Sequence, residues 1–461
     1  MNIKKLFRKG IALAMLVACC VKVPVQAANV KEIPATEIDS VYNLAVDSNG
    51  LTGWAQGPQI YSEAGIVMDM DSGAILYAKN IDDQHYPASI TKVATALVAL
   101  QHYSMDEIVT FTWDDVGFLE YGDAHIGIKP DEQVRMEDCM YGMLLASANE
   151  VSHGIGAHME GGFDQFIAVM NQTVQELGCK NTHFTNTYGL HDEEHYTSVR
   201  DMAIISSAVF QYEEFRKITG TLQYTIPETN ITNEKRTFQQ NHKMLREWDD
   251  RYYEYCVGGK TGFTDQALTT LVTFATKGDM NLVAVVMRTH GGGNNAYKDT
   301  RKMLDYGFDN FTKVSVTQEM LANEHIESID SDAYVVLPSG ITFEQLQIQY
   351  TEPTELDVKA GEIAFTYGGQ PVGKTGMMIT EEYHNELHGI EEVKEEPKKE
   401  TKNPLPTILK VFGGIFLVFV VAVVALIIFV VYRRKQIQKR RRQRRMKRRK
   451  ELERMKDEGT E

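Results

Sequence analysis

Residues 411–432 read VFGGIFLVFVVAVVALIIFVVY, a run of 22 positions without a charge. As a helix rising about 1.5 Å per residue it is about 33 Å long, enough to cross the hydrocarbon core of a bilayer. No other feature constrains the chain as much, because it divides the 461 residues into parts that face different solvents. The run is followed by RRKQIQKRRRQRRMKRRK, with 13 basic and no acidic residues in 18. The positive-inside rule therefore predicts a transmembrane helix at 411–432, a basic cytoplasmic tail at 433–461, and everything before 411 outside the cell. Attraction to anionic lipid explains the basic run better than nucleic acid does.

The other end fits the same export route. Lys4, Lys5, Arg8 and Lys9 precede an apolar stretch over 11–21 and a small-residue site ending in Ala27, the pattern of a signal peptide over residues 1–27. The box LVAC at 16–19 offers a second route, lipidation of Cys19. Between residues 29 and 432 the chain holds 28 basic against 58 acidic residues, which argues against a nucleic-acid partner for the exported part. Cys139, Cys179 and Cys256 remain there, an odd number without CxxC spacing or a nearby His cluster. Neither a disulfide framework nor a metal site is expected, and nothing calls for a cofactor.

Within the exported part, apolar and polar residues alternate on both sides of Asp71-Ser72-Gly73, which predicts a hairpin. SITKVATALVALQHY then has a helical period, and the pattern stays mostly helical to about residue 212. Strand patterns return after Cys256, with ALTTLVTFA and NLVAVVMR flanking the turn TKGDM, before a closing helix over NAYKDTRKMLDYGFDNF. Strands from both ends of one segment with helices between them predict an α/β catalytic domain over 45–312, an antiparallel sheet flanked by helices. Residues 313–385 have short strands broken by Pro and Gly, the pattern of a small all-β domain, and 386–410 form a charged, Pro-containing linker.

Three short motifs carry candidate chemistry. PASITK sets Ser89 and Lys92 three residues apart at a helix start, on one face. A serine hydroxyl needs a base to take its proton, and a lysine one turn away serves if its amine is held neutral by burial or nearby positive charge. LLASANE adds the hydroxyl of Ser147 and the amide of Asn149, and GGKTGFT adds Lys260 and Thr261 on a strand whose glycines admit a ligand close to the backbone. Lys-Thr-Gly recurs in PVGKTGMMI at 371–379, but no second Ser-x-x-Lys or Ser-x-Asn accompanies it. Lys374 is therefore read as a solvated strand residue.

Each spacing alone is common by chance; the ordered set is not. Ser-x-x-Lys, Ser-x-Asn and Lys-Thr-Gly stand in the order used by the penicilloyl-serine transferases. With their flanks, and with NHKML and TNTYGLHDEEHYTSVRDMAI, residues 60–310 resemble the low-molecular-weight serine-type D-alanyl-D-alanine carboxypeptidases. Residues 313–385 are similar to that family's C-terminal domain. The resemblance implies attack of Ser89 on the penultimate carbonyl of a peptidoglycan stem peptide ending in D-Ala-D-Ala, with Lys92 as general base. It implies that Ser147 relays the proton to the leaving D-Ala and that Asn149 positions Lys92 and the substrate amide. Lys260 and Thr261 would bind the terminal carboxylate, Gly262 would belong to the same motif, and the Ser89 and Phe263 N–H groups would form the oxyanion hole. β-Lactam antibiotics would acylate Ser89.

Several positions depart from the family pattern: SANEV for Ser-Gly-Asn-Asp-Ala, Thr187 for a common proline, Ser198-Val199 for Thr-Ala, and Leu268 for a frequent glycine. Two alternatives share the motifs. A β-lactamase needs a deacylating carboxylate between Asn149 and Lys260, where Glu193 and Glu194 stand. A catalytically weak β-lactam or wall-binding receptor would signal through the membrane helix, although a tail of 29 residues is too short for an effector domain.

Overall fold

The computed structural model describes residues 33–34, 36–355 and 358–390. The signal peptide, the transmembrane helix, the basic tail and most of the linker expected from sequence lie outside the described residues. Among the described residues, no helix is long and apolar enough to cross a membrane.

The central sheet has five strands: β1 (Ser62–Asp69), β2 (Ile75–Lys79), β3 (Cys256–Thr264), β4 (Leu268–Lys277) and β5 (Met280–Thr289). Their spatial order is β2-β1-β5-β4-β3, and every neighbouring pair is antiparallel. The hairpin expected around Asp71 and the hairpin expected around TKGDM are both present, as β1–β2 and β4–β5. Strands from the two ends of the segment meet where β1 pairs with β5, from Ser62 opposite Thr289 to Asp69 opposite Leu282.

Between β2 and β3 the chain runs through helices α1 (Thr91–His102), α2 (Met136–Leu145), α3 (Asn149–Ala157), α4 (Phe163–Glu176), α5 (Val199–Phe210) and α6 (Glu213–Gly220). Ser198 caps α5, its side chain accepting the N–H of Asp201, so at this position serine does the work of threonine. One face of the sheet, with Ile66, Met68, Phe274 and Val285, packs on the apolar faces of these helices. The other face, with Val67, Leu76, Leu282 and Val286, packs on α7 (Gly293–Asn310) through Met303 and Leu304. Every residue of β1 is buried, so the alternation read in its sequence does not mark a solvent face; both faces are covered. Burying each such Leu, Val or Phe contributes about 1.5–3 kcal/mol.

After α7 come β6 (Phe311–Ser315), β7 (Ile326–Ile329), β8 (Tyr334–Pro338), β9 (Gln347–Thr351), β10 (Ala360–Tyr367) and β11 (Gln370–Ile379). β6 pairs with β8, and the other four form a sheet in the order β7-β11-β10-β9. The segment is strand-rich but not purely β, since it includes short helices at Gln318–Leu321 and Glu381–His388. It is tied to the first hairpin by Tyr334, whose hydroxyl donates to Asp69 Oδ1 at 2.8 Å, and by Gln370, whose Nε2 donates to the carbonyl of Ile75 at 2.9 Å.

Candidate active site

Ser89 sits in a single 3-10 turn, Ala88–Ile90, that runs straight into α1. The turn is clamped from several directions. Ala88 has φ +50°, a left-handed conformation that is strained for a residue with a Cβ. Thr91 Oγ1 donates to the carbonyl of Ala88 at 2.8 Å, and Thr270 Oγ1 donates to that of Pro87 at 2.8 Å. Gly189 lies so close that a Cβ there would fall 1.9 Å from the Ala88 oxygen. His195 Nδ1 accepts the N–H of Thr185, which puts the ring proton on Nε2, and that atom donates to Thr91 Oγ1 at 2.8 Å. Burial holds this imidazole neutral, with its pKa pushed down to about 3.

Lys92 lies one turn after Ser89 and is wholly buried. Its Nζ is 3.1 Å from Ser89 Oγ, 2.8 Å from Asn149 Oδ1 and 2.6 Å from the carbonyl of Tyr188. Burial first, and the charge of Lys260 second, hold its pKa well below the usual lysine value. A neutral amine has two protons and one lone pair. Asn149 Oδ1 and Tyr188 O take the protons, so the lone pair is left for the Ser89 hydroxyl.

The loop between α2 and α3 delivers Ser147 and Asn149. Ser147 has φ +64°, and its Oγ accepts from Lys260 Nζ at 3.0 Å. Lys260, on β3, also donates to the carbonyl of Thr261 at 2.7 Å, and burial lowers its pKa to about 7. The next glycine is forced by close approach: a Cβ on Gly262 would fall 2.9 Å from the Ser89 backbone nitrogen and 2.3 Å from Thr270 Oγ1. The edge strand is thus pressed against the amide of the nucleophile.

All eight residues expected from sequence come together. Ser89, Ser147, Thr261, Gly262 and Phe263 line one cleft of about 700 Å³, while Lys92, Asn149 and Lys260 are buried and bonded to one another's partners behind it. Lys374 is elsewhere, on β11, paired with Glu362 at 2.8 Å. Glu193 and Glu194 are exposed and do not line the cleft; the buried member of that stretch is His195. Sequence reasoning assigned no role to Tyr188, His195, Lys243, Arg251 or Tyr297. Tyr188 and His195 bear on the nucleophile, and the other three line the cleft. The quoted stretches NTYGLHDEEH and NHKML contain three of these five, so a signal was there without a geometry to interpret it.

A Ser-Lys pair with a buried amine of depressed pKa and a second serine bonded to a second lysine can carry acyl transfer through a serine ester. Residues 52–291, just over half of the chain, match the family model described as D-alanyl-D-alanine carboxypeptidase. The chain is 31% identical over 254 residues to D-alanyl-D-alanine carboxypeptidase DacF of Bacillus subtilis (strain 168), covering 54% of this chain and 63% of that protein. It is 29% identical over 358 residues to DacA of Escherichia coli (strain K12), covering 70% and 84%. Among solved structures, a D-alanyl-D-alanine carboxypeptidase from Mycobacterium tuberculosis superposes with a TM-score of 0.51 at 29% identity, over 56% of this chain and 95% of that one.

Proposed function

Since this chain belongs to the D-alanyl-D-alanine carboxypeptidase family of serine peptidases, we propose that it removes the terminal D-Ala from peptidoglycan stem peptides through an ester on Ser89. The single observation that carries the reading is the Lys92 amine, buried, its two protons accounted for, 3.1 Å from the Ser89 hydroxyl.

In this mechanism Lys92 takes the Ser89 proton as Oγ attacks the penultimate D-Ala carbonyl. The tetrahedral oxyanion accepts hydrogen bonds from the N–H groups of Ser89 and Phe263. The C–N bond then breaks, and the proton passes by way of Ser147 to the departing D-Ala amine. Lys92, neutral again, takes a proton from water as that water attacks the ester, and returns it to Ser89 Oγ as the shortened peptide leaves. Lys260 and Thr261 hold the terminal carboxylate, and Asn149 fixes the Lys92 amine and the substrate amide. β-Lactams acylate the same oxygen.

The membrane and domain assignments belong to this proposal as well. Residues 411–432 anchor the chain as a single span, 433–461 lie in the cytoplasm, and the catalytic domain over 45–312 faces the wall.

The test is incubation of the full chain with a pentapeptide ending in D-Ala-D-Ala and, separately, with penicillin. Free D-Ala and a penicilloyl adduct on Ser89, both absent in Ser89→Ala, are expected. D-Ala release that survives in Ser89→Ala would overturn the reading.

A further inference from the structure

The cleft does not end at the reacting atoms. Beyond Thr261 it runs over Lys243, Arg251 and Tyr297, and a second cavity of about 400 Å³ shares Arg251 and Tyr297 with it. That second cavity adds Lys298, Arg301 and Lys302 from α7. Five bases thus line the two adjoining cavities, with the Lys302 ammonium also 5.9 Å from the Tyr42 ring centre, in a segment whose acids outnumber its bases 58 to 28.

The acids nearby offset them only in part: Asp249 attracts Arg251 and Lys243, and Asp299 attracts Lys302. Asp249 pairs with the Arg251 guanidinium through contacts at 2.5 and 2.9 Å, accepts the Arg251 N–H at 3.0 Å and is also stabilised by the charge of Lys243, while Asp250 is the carboxylate that lines the cavity. Asp299 accepts from Ser62 and is fully buried on the sheet side of α7. Arg301 donates to the carbonyls of Arg251 and Tyr252, which keeps its charge while fixing its position. Among the described residues, Lys243 and Lys298 have no ion-pair partner. A cation-lined arm continuous with a catalytic cleft raises the local concentration of an anion there.

Resting on the acyl-transfer reading, we propose that this arm binds a second carboxylate of the peptide substrate, distinct from the terminal one held at Lys260 and Thr261. Lys243, Arg251, Lys298 and Lys302 supply the charge, and Tyr297 forms the saddle between the two cavities.

The test uses the full chain and two pentapeptides ending in D-Ala-D-Ala, one with a further carboxylate and one with that group as the carboxamide. At low salt the carboxylate peptide is expected to have a kcat/KM roughly tenfold higher, expressed in KM, a difference that shrinks as salt is added. In the Lys298→Glu/Lys302→Glu double variant the ratio should fall towards one, with an unchanged unfolding midpoint showing that the fold is kept. Equal use of both peptides by the parent chain, or a preference that persists in the double variant, overturns the proposal. So does a glycerol-phosphate oligomer that inhibits cleavage of both peptides equally, because the anion of the arm would then lie outside the substrate. A chain that forms no penicillin adduct and cuts neither peptide overturns the acyl-transfer reading, and this inference with it.

Discussion

Lys92 Nζ lies 3.1 Å from Ser89 Oγ, and the carbonyl of Tyr188, 2.6 Å away on its other side, fixes which way the amine points. The acceptors Tyr188 O and Asn149 Oδ1 bind protons, so a neutral amine can turn only its lone pair to the serine. Replacing Lys92 with Gln leaves a group of similar size that is no base. Its acylation by penicillin, followed by mass spectrometry, should slow by about 10²–10⁴. Lys92→Arg should fail as badly, because a guanidinium is never neutral at working pH. Acylation near the parent rate in either variant would mean that the base lies elsewhere.

The two lysines set a bell-shaped pH dependence. Lys92 must be neutral to accept the serine proton, so activity falls as pH drops through its depressed pKa. Lys260, at about 7 in the free protein, must be charged to hold the carboxylate, so kcat/KM falls again as pH rises past that value. A bound carboxylate favours the ammonium form, which places the alkaline limb of kcat at higher pH than that of kcat/KM. The Lys260 charge also helps to depress Lys92. In Lys260→Gln the acid limb of penicillin acylation should therefore move to higher pH; a stationary limb would rule out this coupling.

Gly262 touches the nucleophile through its missing Cβ. An alanine there would meet the Ser89 nitrogen at 2.9 Å, a backbone atom that cannot rotate away, whereas the Thr270 hydroxyl can. Gly262→Ala should shift the turn that holds Ser89 by a few tenths of an ångström or more. Misplacement approaching 1 Å costs on the order of 10²-fold in rate. Acylation should drop steeply while thermal unfolding moves little, and a variant that acylates normally would mean the strand is not pressed on the turn.

The second Lys-Thr-Gly supplies the control. Lys374 is 56% exposed and pairs with a half-exposed Glu362, an arrangement worth about 0–1 kcal/mol. Lys374→Ala should leave D-Ala release and penicillin acylation unchanged, whereas Lys260→Ala should raise KM for the peptide severely. The opposite pattern would exchange the assignments of the two motifs.

What the sequence made legible was local. Ser89, Lys92, Ser147, Asn149 and the β3 triplet announce themselves by spacing, and the hairpins β1–β2 and β4–β5 by turn residues and strand periodicity. What escaped depends on distant segments meeting. His195 grips Thr91 from 104 residues away, and the Gly189 backbone fits against Ala88 because nothing larger does. The φ of +64° at Ser147 has no sequence signature, since serine is not a residue that such a conformation favours. The cation-lined arm unites the stretch that precedes β3 with residues of α7, and neither alone reads as a site.

Leu268 was conspicuous only against the family pattern, where glycine is frequent, and its backbone gives the reason. It opens β4 opposite Thr264 with φ +52°, the left-handed region, at a cost of about 1–2 kcal/mol for a residue with a Cβ. Glycine avoids that cost but loses about 0.5–1 kcal/mol to the freedom of the unfolded chain, along with some burial of a half-buried side chain. Leu268→Gly should therefore leave the unfolding midpoint within a few degrees of the parent, although the same change within a regular strand would lower it. Leu268→Val asks a β-branched residue to adopt the same φ, where such residues are rarely found, and should lower the midpoint clearly. Thermal unfolding of the two variants in parallel decides the matter. A valine as stable as the parent, or a glycine far less stable than the valine, would show that packing rather than backbone conformation governs this position.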